Sequence, residues 1–237
     1  MKENVTNILG VKISTLTYSD TLELIFKWLS EKGVFKTIVT PNPEFLVRAQ
    51  KDMEFKRILN SADLAIPDGS KLIWASKGKV LERVSGTDLM ISLCGVCVKS
   101  GFTVGLIGGG EEIAEKTAEC LLKKFPKLKI GIATANCDWP RNDTVRVDVL
   151  FVALGMVKQE RWIYNNREKL KDSGVRLAMG VGGAFDYISG AVPRAPKFMR
   201  DAGLEWLFRL LVQPWRLKRQ LALLEFVTMV MRGRKEE

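Results

Sequence analysis

The sequence predicts an α/β fold: a Rossmann-like, mostly parallel sheet with flanking helices, followed by a C-terminal helical membrane-docking appendage. Three observations carry that expectation. Short β-branched or aliphatic runs alternate with stretches of helical periodicity, the pattern of parallel strands joined by crossover helices. Two of those runs, Thr37-Ile38-Val39-Thr40-Pro41-Asn42-Pro43-Glu44 and Asp63-Leu64-Ala65-Ile66-Pro67-Asp68-Gly69, stop at proline, which cannot continue a central strand and turns the chain. Composition then shifts near Pro193, dividing the chain into a core of residues 1–192 and a basic, amphipathic segment of residues 193–237.

Taken in order, the expected strands are Asn7–Ile13, Lys36–Thr40, Leu64–Ile66, Thr103–Ile107, Lys129–Thr134, Val147–Ala153 and Leu177–Met179. Between them, apolar residues at helical spacing predict helices over Asp20–Ser30, Glu44–Gln50, Asp52–Leu59, Thr87–Lys99, Glu111–Lys124 and Gln159–Asn165. Ser85 or Thr87 caps the helix that holds Asp88. Beyond Pro193, Leu204, Leu207, Phe208 and Leu211 form one apolar stripe, and Pro214 forces a break. A second helix follows from about Trp215, with Leu217, Leu221 and Leu224 on one stripe and Leu223, Phe226, Val227 and Val230 beside it. Two readings fit this tail: a hairpin packed on the core, or a face for the boundary between water and lipid.

Charge narrows the partners. The tail holds ten Lys/Arg against five Asp/Glu, leaving +5 of the chain's +10. Such a patch calls for an anionic partner: nucleic acid, anionic lipid or a phosphate-bearing substrate. The longest stretch without a charged residue is the eleven of Ser100–Gly110, well short of the roughly 20 apolar residues that span a bilayer. No signal-peptide pattern is visible. The four cysteines include Cys94-Gly95-Val96-Cys97, but no histidine completes a zinc site, and an apolar setting favours buried, reduced thiols.

Chemistry is sparse but placed. A carboxylate at a strand exit, Asp68, stands where open α/β sheets bind ligands, and no histidine competes for the role of base. Asp-Gly is equally an ordinary turn. The segment Gly108-Gly109-Gly110, between an apolar run and a helix start, lets the backbone approach a phosphate or sugar. It lacks the dinucleotide fingerprint, since the third glycine position is Ile113. No Asp-x-Asp pair exists to hold a divalent cation on a diphosphate, so a phosphate-bearing ligand would be met by Arg, Lys or helix dipoles instead. Arg209, Arg216 and Arg219 would share a face about 80° wide on a continuous helix, which Pro214 interrupts. Gln159 at a helix start can read sugar hydroxyls, and Arg83 can pair with a phosphate. Each also has a plain surface reading.

Several further segments complete a series: Arg83-Val84-Ser85-Gly86-Thr87-Asp88-Leu89, Phe151-Val152-Ala153-Leu154-Gly155, Lys158-Gln159-Glu160, Gly180-Val181-Gly182-Gly183-Ala184-Phe185-Asp186, Arg194-Ala195-Pro196 and Gly203-Leu204-Glu205-Trp206. In this order, with the two strand exits and the triple glycine, they resemble the WecG/TagA/CpsF family of inverting glycosyltransferases (glycosyltransferase family 26). The likeness runs from about Ile8 to about Phe226. It implies metal-independent transfer of N-acetylmannosamine from a UDP-sugar donor to a polyprenyl-diphosphate-linked acceptor, N-acetylglucosaminyl-diphospho-undecaprenol, with a β-1,4 bond, in teichoic acid or surface polysaccharide synthesis. It implies Asp68 as base, Thr40, Asn42, Arg83 and Gln159 at the substrates, and Arg209, Arg216 and Arg219 at the leaving diphosphate. No cofactor, metal or nucleic acid is expected. An anionic membrane surface is the expected partner, a homo-oligomer is compatible, and the location is cytoplasmic, peripheral on the inner face of the cell membrane. Gln213 departs from the glutamate expected before Pro214, and Ser76–Leu81 is short. Alternatives are a glucosyl or galactosyl transferase of a capsule pathway, a Rossmann-type oxidoreductase or methyltransferase, and a non-catalytic basic membrane-binding module.

Overall fold

A computed structural model describes residues 4–31, 33–140, 145–196, 198–199, 205–212 and 217–233. Six parallel strands form the sheet: β3 (Lys36–Val39), β4 (Leu64–Ala65), β5 (Thr103–Gly108), β6 (Lys129–Thr134), β7 (Val149–Ala153) and β8 (Leu177–Gly180), in the spatial order β4-β3-β8-β7-β5-β6. Register places Leu64, Ile38, Met179, Phe151, Leu106 and Ala133 in one row across the sheet. That row faces α1 (Tyr18–Ser30), α5 (Gly86–Ser100) and α6 (Ile113–Lys124), through Ile25, Leu93 and Leu121. Period-two alternation turns the next residues to the other face. There Val39 and Ala65 meet α2 (Pro43–Lys51) and α3 (Met53–Ser61), while Leu150, Val152 and Ala178 meet α7 (Lys158–Asn165) and α8 (Arg167–Asp172). Strands covered on both faces read as unbroken apolar runs, and every residue of β7 and β8 is buried.

The first expected strand is corrected. Asn7–Ile13 is not one strand of the main sheet but part of a separate antiparallel hairpin, β1 (Val5–Ile8) and β2 (Val11–Ser14). Leu9 and Gly10 both take positive φ, 53° and 76°, and the Gly10 N–H donates to Asn7 Oδ1 at 2.7 Å, closing a two-residue turn. Helix α6 begins at Ile113 rather than Glu111, because Glu112 sits in the left-handed region at φ 59°. Short helices α4 (Ser70–Ala75) and α9 (Ala184–Ile188) add turns at the ends of β4 and β8.

In the tail, α10 spans Glu205–Val212 and α11 spans Leu217–Gly233. Helix α11 lies on α2. Phe226 and Val230 are buried in the core between α2, α3 and the hairpin, and the Lys51 ammonium pairs with Glu225 at 2.6 Å. The opposite side of α11 exposes Leu221, Leu224 and Met231, and α10 exposes Leu211. Among the described residues no helix is long and apolar enough to cross a membrane. Cys94 and Cys97 are free and buried on α5, and burial pushes the Cys94 thiol up to about 12.

Candidate active site

The chain leaves β3 toward one edge of the sheet and β5 toward the other. Where such connections diverge, a crevice opens outside the carboxyl ends of the strands. Here the exits of β4, β3 and β8 stand side by side at that end of the sheet. Ile66 continues the ladder by donating to Val39 O at 3.0 Å, after which Pro67 ends it. The Asp68 N–H then donates to Pro41 O at 2.9 Å, and the Val84 N–H donates to Pro67 O at 3.0 Å. Three segments distant in sequence are thereby tied by main-chain bonds. Gly69 follows at φ 139°, a conformation that a side chain rarely adopts, and releases the chain into α4.

Asp68 Oδ1 accepts from Arg83 Nε at 3.1 Å, and both side chains are about one quarter exposed (28% and 23%). Helix α5 closes the site from above. A Cβ on Gly86 would stand 3.2 Å from Thr40 Cγ2, tighter than an ordinary contact, and 3.8 Å from Asp68 Oδ2, so a glycine lets this helix start approach Thr40 without displacement. Ser85 caps α5 by accepting from the Asp88 N–H at 3.4 Å, and the N-terminal end of a 15-residue helix favours negative charge nearby. The buried Thr40 donates its hydroxyl to Gly180 O at 3.3 Å, joining the exits of β3 and β8. Asn42 caps α2: its Oδ1 accepts from Glu44 N and Phe45 N at 2.9 and 3.1 Å. With the oxygen so occupied, what Asn42 offers a ligand is its Nδ2 donors.

Gln159 sits differently from its sequence expectation. It lies in the first turn of α7, but its side chain is only 1% exposed and turns into the fold. Its Oε1 accepts from the Gly182 N–H at 2.9 Å, and its Nε2 donates to Glu160 Oε1 at 2.6 Å. Glu160, also 1% exposed, takes the Val157 N–H on Oε2 at 2.7 Å. Burial pushes its carboxyl up to about 7, against the pull of those hydrogen bonds.

The structure thus brings Asp68, Arg83 and Thr40 together, sets Asn42 on the neighbouring turn, and places Gln159 behind the β8 exit. Arg216 lies outside the described residues. Arg209 and Arg219 fall on α10 and α11, with their side chains outside the description. Sequence reasoning missed two features. One is Glu160. The other is the Arg194 fork, which donates to both oxygens of Asp88 at 2.8 Å and to Ser85 Oγ at 3.4 Å, fastening the first residues of the tail to the start of α5. Arg194-Ala195-Pro196 and Asp88 both stand in the motif series, but their pairing across 106 residues has no sequence signal.

A carboxylate, a guanidinium and a hydroxyl at converging strand ends suit deprotonation of one hydroxyl beside an anionic ligand. The profile of the glycosyl transferase WecG/TagA/CpsF family matches residues 6–237. The chain belongs to that family. Within it, the chain is similar to two proteins named N-acetylglucosaminyldiphosphoundecaprenol N-acetyl-beta-D-mannosaminyltransferase. The one from Bacillus subtilis (strain 168) is 29% identical over 244 residues, covering 99% of this chain and 93% of the relative. The one from Bacillus spizizenii is 35% identical over 210 residues, covering 85% and 80%. As a WecG/TagA/CpsF member the chain is a glycosyltransferase, which accounts for a ligand crevice built without the dinucleotide fingerprint.

Proposed function

We propose that the protein transfers N-acetylmannosamine from UDP-N-acetylmannosamine to N-acetylglucosaminyl-diphospho-undecaprenol, forming a β-1,4 bond with inversion and without a metal ion. The observation that carries this reading is Asp68, held at the β4 exit with Arg83 on one oxygen and the Gly86 helix start, which Thr40 also adjoins, near the other. The names of the two Bacillus relatives support the donor and acceptor.

In this mechanism the acceptor 4-hydroxyl attacks the anomeric carbon in line with the departing UDP. As the new C–O bond forms and the bond to the diphosphate breaks, Asp68 takes the hydroxyl proton. Thr40 and Asn42 line the approach, Asn42 donating through Nδ2. Arg83 orients the carboxylate and places positive charge beside the substrates. Gln159 shapes the β8 exit from behind. Charge growing on UDP is met by Arg209, Arg216 and Arg219 when the tail folds over the crevice, consistent with the lack of an Asp-x-Asp pair.

Residues 1–192 form the catalytic core in this reading and residues 193–237 the docking appendage. A soluble body acting on a lipid-linked acceptor needs a basic face with apolar contacts. The tail's +5 charge and the exposed Leu211, Leu221, Leu224 and Met231 supply one, which supports a peripheral position on the cytoplasmic face of the membrane. The test is a panel of UDP-sugars with a short lipid-diphosphate acceptor, run with and without EDTA. The expected product is the N-acetylmannosaminyl disaccharide, formed equally in both arms. Transfer of a different sugar, or activity restored only by added Mg²⁺ or Mn²⁺, overturns the reading.

A further inference from the structure

We propose that Glu160 is a positioning residue: its carboxylate fixes the Gln159 amide, and through it the Gly180–Gly183 turn on which Thr40 rests. The proposal builds on the reading that the Thr40–Asp68 crevice is where the sugar is transferred.

Donors and acceptors match along one path through the fold. The Gly182 N–H needs an acceptor, which sets the Gln159 amide with its oxygen toward Gly182. Gln159 Nε2 must then face an acceptor, and Glu160 Oε1 stands 2.6 Å away. The second oxygen of Glu160 receives the Val157 N–H, at a residue held in the left-handed region at φ 73°. Both carboxylate oxygens therefore face donors, an arrangement that an ionised carboxylate satisfies and a protonated one does not. Space at the far end is equally constrained. A Cβ on Gly180 would lie 2.7 Å from Gln159 Nε2 and 3.0 Å from Glu160 Oε1, so the amide packs directly beneath the β8 exit. Gly180 O is the acceptor for the Thr40 hydroxyl, and Thr40 touches the Gly86 helix start beside Asp68. The chain of contact from Glu160 to the crevice is continuous.

Glu160 also borders a cavity of about 20 Å³ between α3, α7 and β3, room for one water. The charged or titratable groups sharing that cavity are Tyr164 on α7 and Arg167 on α8; the residues facing it from β3 and α3, Thr37, Ile38, Val39, Ile58, Ser61 and Ala62, are uncharged. The hydrogen bonds favour ionisation and burial opposes it, leaving the carboxyl at about 7. Protonation below that pH sets an O–H donor against the Gln159 Nε2 donor, and the β8 exit loses its register with Thr40. A misplacement on the order of 1 Å at such a site costs about 10²-fold in rate.

Stability and activity then move in opposite directions. A carboxyl whose folded pKa is raised from 4.5 to about 7 contributes stability fully below pH 4.5, and that contribution is lost as pH rises through about 7. Sugar transfer should rise over the same upper interval.

The test begins on the wild-type protein. The Gln159 side-chain amide and Gly182 backbone amide resonances should titrate together with a midpoint near 7, and transfer should show an acid limb at the same pH. Glu160→Gln should abolish both titrations and lower turnover by about 10- to 100-fold. Gly180→Ala, whose methyl group presses on the Gln159 amide and on Glu160 Oε1 while keeping an ionisable carboxylate, should lower turnover comparably. Resonances that do not titrate, or a Glu160→Gln variant that keeps turnover and the acid limb, overturn the proposal. If no UDP-sugar is transferred yet the two amides titrate with Glu160, the functional reading fails and the relay stands.

Discussion

Asp68 is placed by backbone rather than by its own side chain: its N–H is on Pro41 O, and Pro67 O receives Val84 N. Altering the carboxylate therefore leaves the turn intact. Gly86 is the neighbour whose size matters most. A methyl group there would press to 3.2 Å from Thr40 Cγ2, and Thr40 cannot retreat while its hydroxyl holds Gly180 O. The relief is for the start of α5 to move away from Asp68. Alanine is the better helix former, so Gly86→Ala should unfold within a few degrees of wild type. Turnover should nevertheless fall by about tenfold or more, as expected for a displaced catalytic group. Thermal melts and steady-state kinetics on the same preparation check both halves; a fully active variant would show that the crevice tolerates the shift. Part of this residue-level picture is legible in the sequence alone. Asp68, Thr40 and Arg83 stand at strand exits or ahead of a helix start, where parallel sheets gather side chains. The burial of Gln159 is not legible, because a polar residue at a helix start reads as solvent-facing. The Gly182 N–H and the Glu160 carboxylate together explain why it turns inward.

Helix α11 has two faces with separable roles. Phe226 is fully buried against α2 and its neighbours, so Phe226→Ala should destabilise the fold by about 3–5 kcal/mol in urea unfolding. Leu221 and Leu224 point outward, 62% and 67% exposed. Glu at both positions should leave unfolding nearly unchanged, weaken binding to anionic vesicles, and spare transfer to a short soluble acceptor. Unchanged vesicle binding would move the docking surface elsewhere on the molecule. The sequence expectation of two adjoining stripes on this helix reflects the same geometry: one stripe seats the helix and the other stays outside. Elements with a strong period are readable in this way, and strands buried on both faces stand out as apolar runs. The hairpin is not, since Leu9-Gly10 interrupts an otherwise strand-like stretch with two left-handed residues that leave little trace in hydrophobic pattern. Helices α4, α8 and α9, of six, six and five residues, are too short to show a period.

At the scale of the whole molecule, the order of strands decides where chemistry can occur. Connections leaving β3 and β5 in opposite directions open the crevice, and the exits of β3, β4 and β8 furnish it. Arg194 then fastens the first residues of the tail to α5 by a bidentate pair with Asp88, so the appendage starts beside the site rather than at a distant surface. The account stands on Asp68 as the group that removes the acceptor proton. The most direct measurement is turnover of Asp68→Asn with UDP-N-acetylmannosamine and a soluble lipid-diphosphate acceptor, paired with UDP binding by calorimetry. The account predicts turnover lower by about 10²–10⁴-fold with UDP affinity almost unchanged. Near-wild-type turnover would contradict it, and would reduce Asp68 to a turn residue.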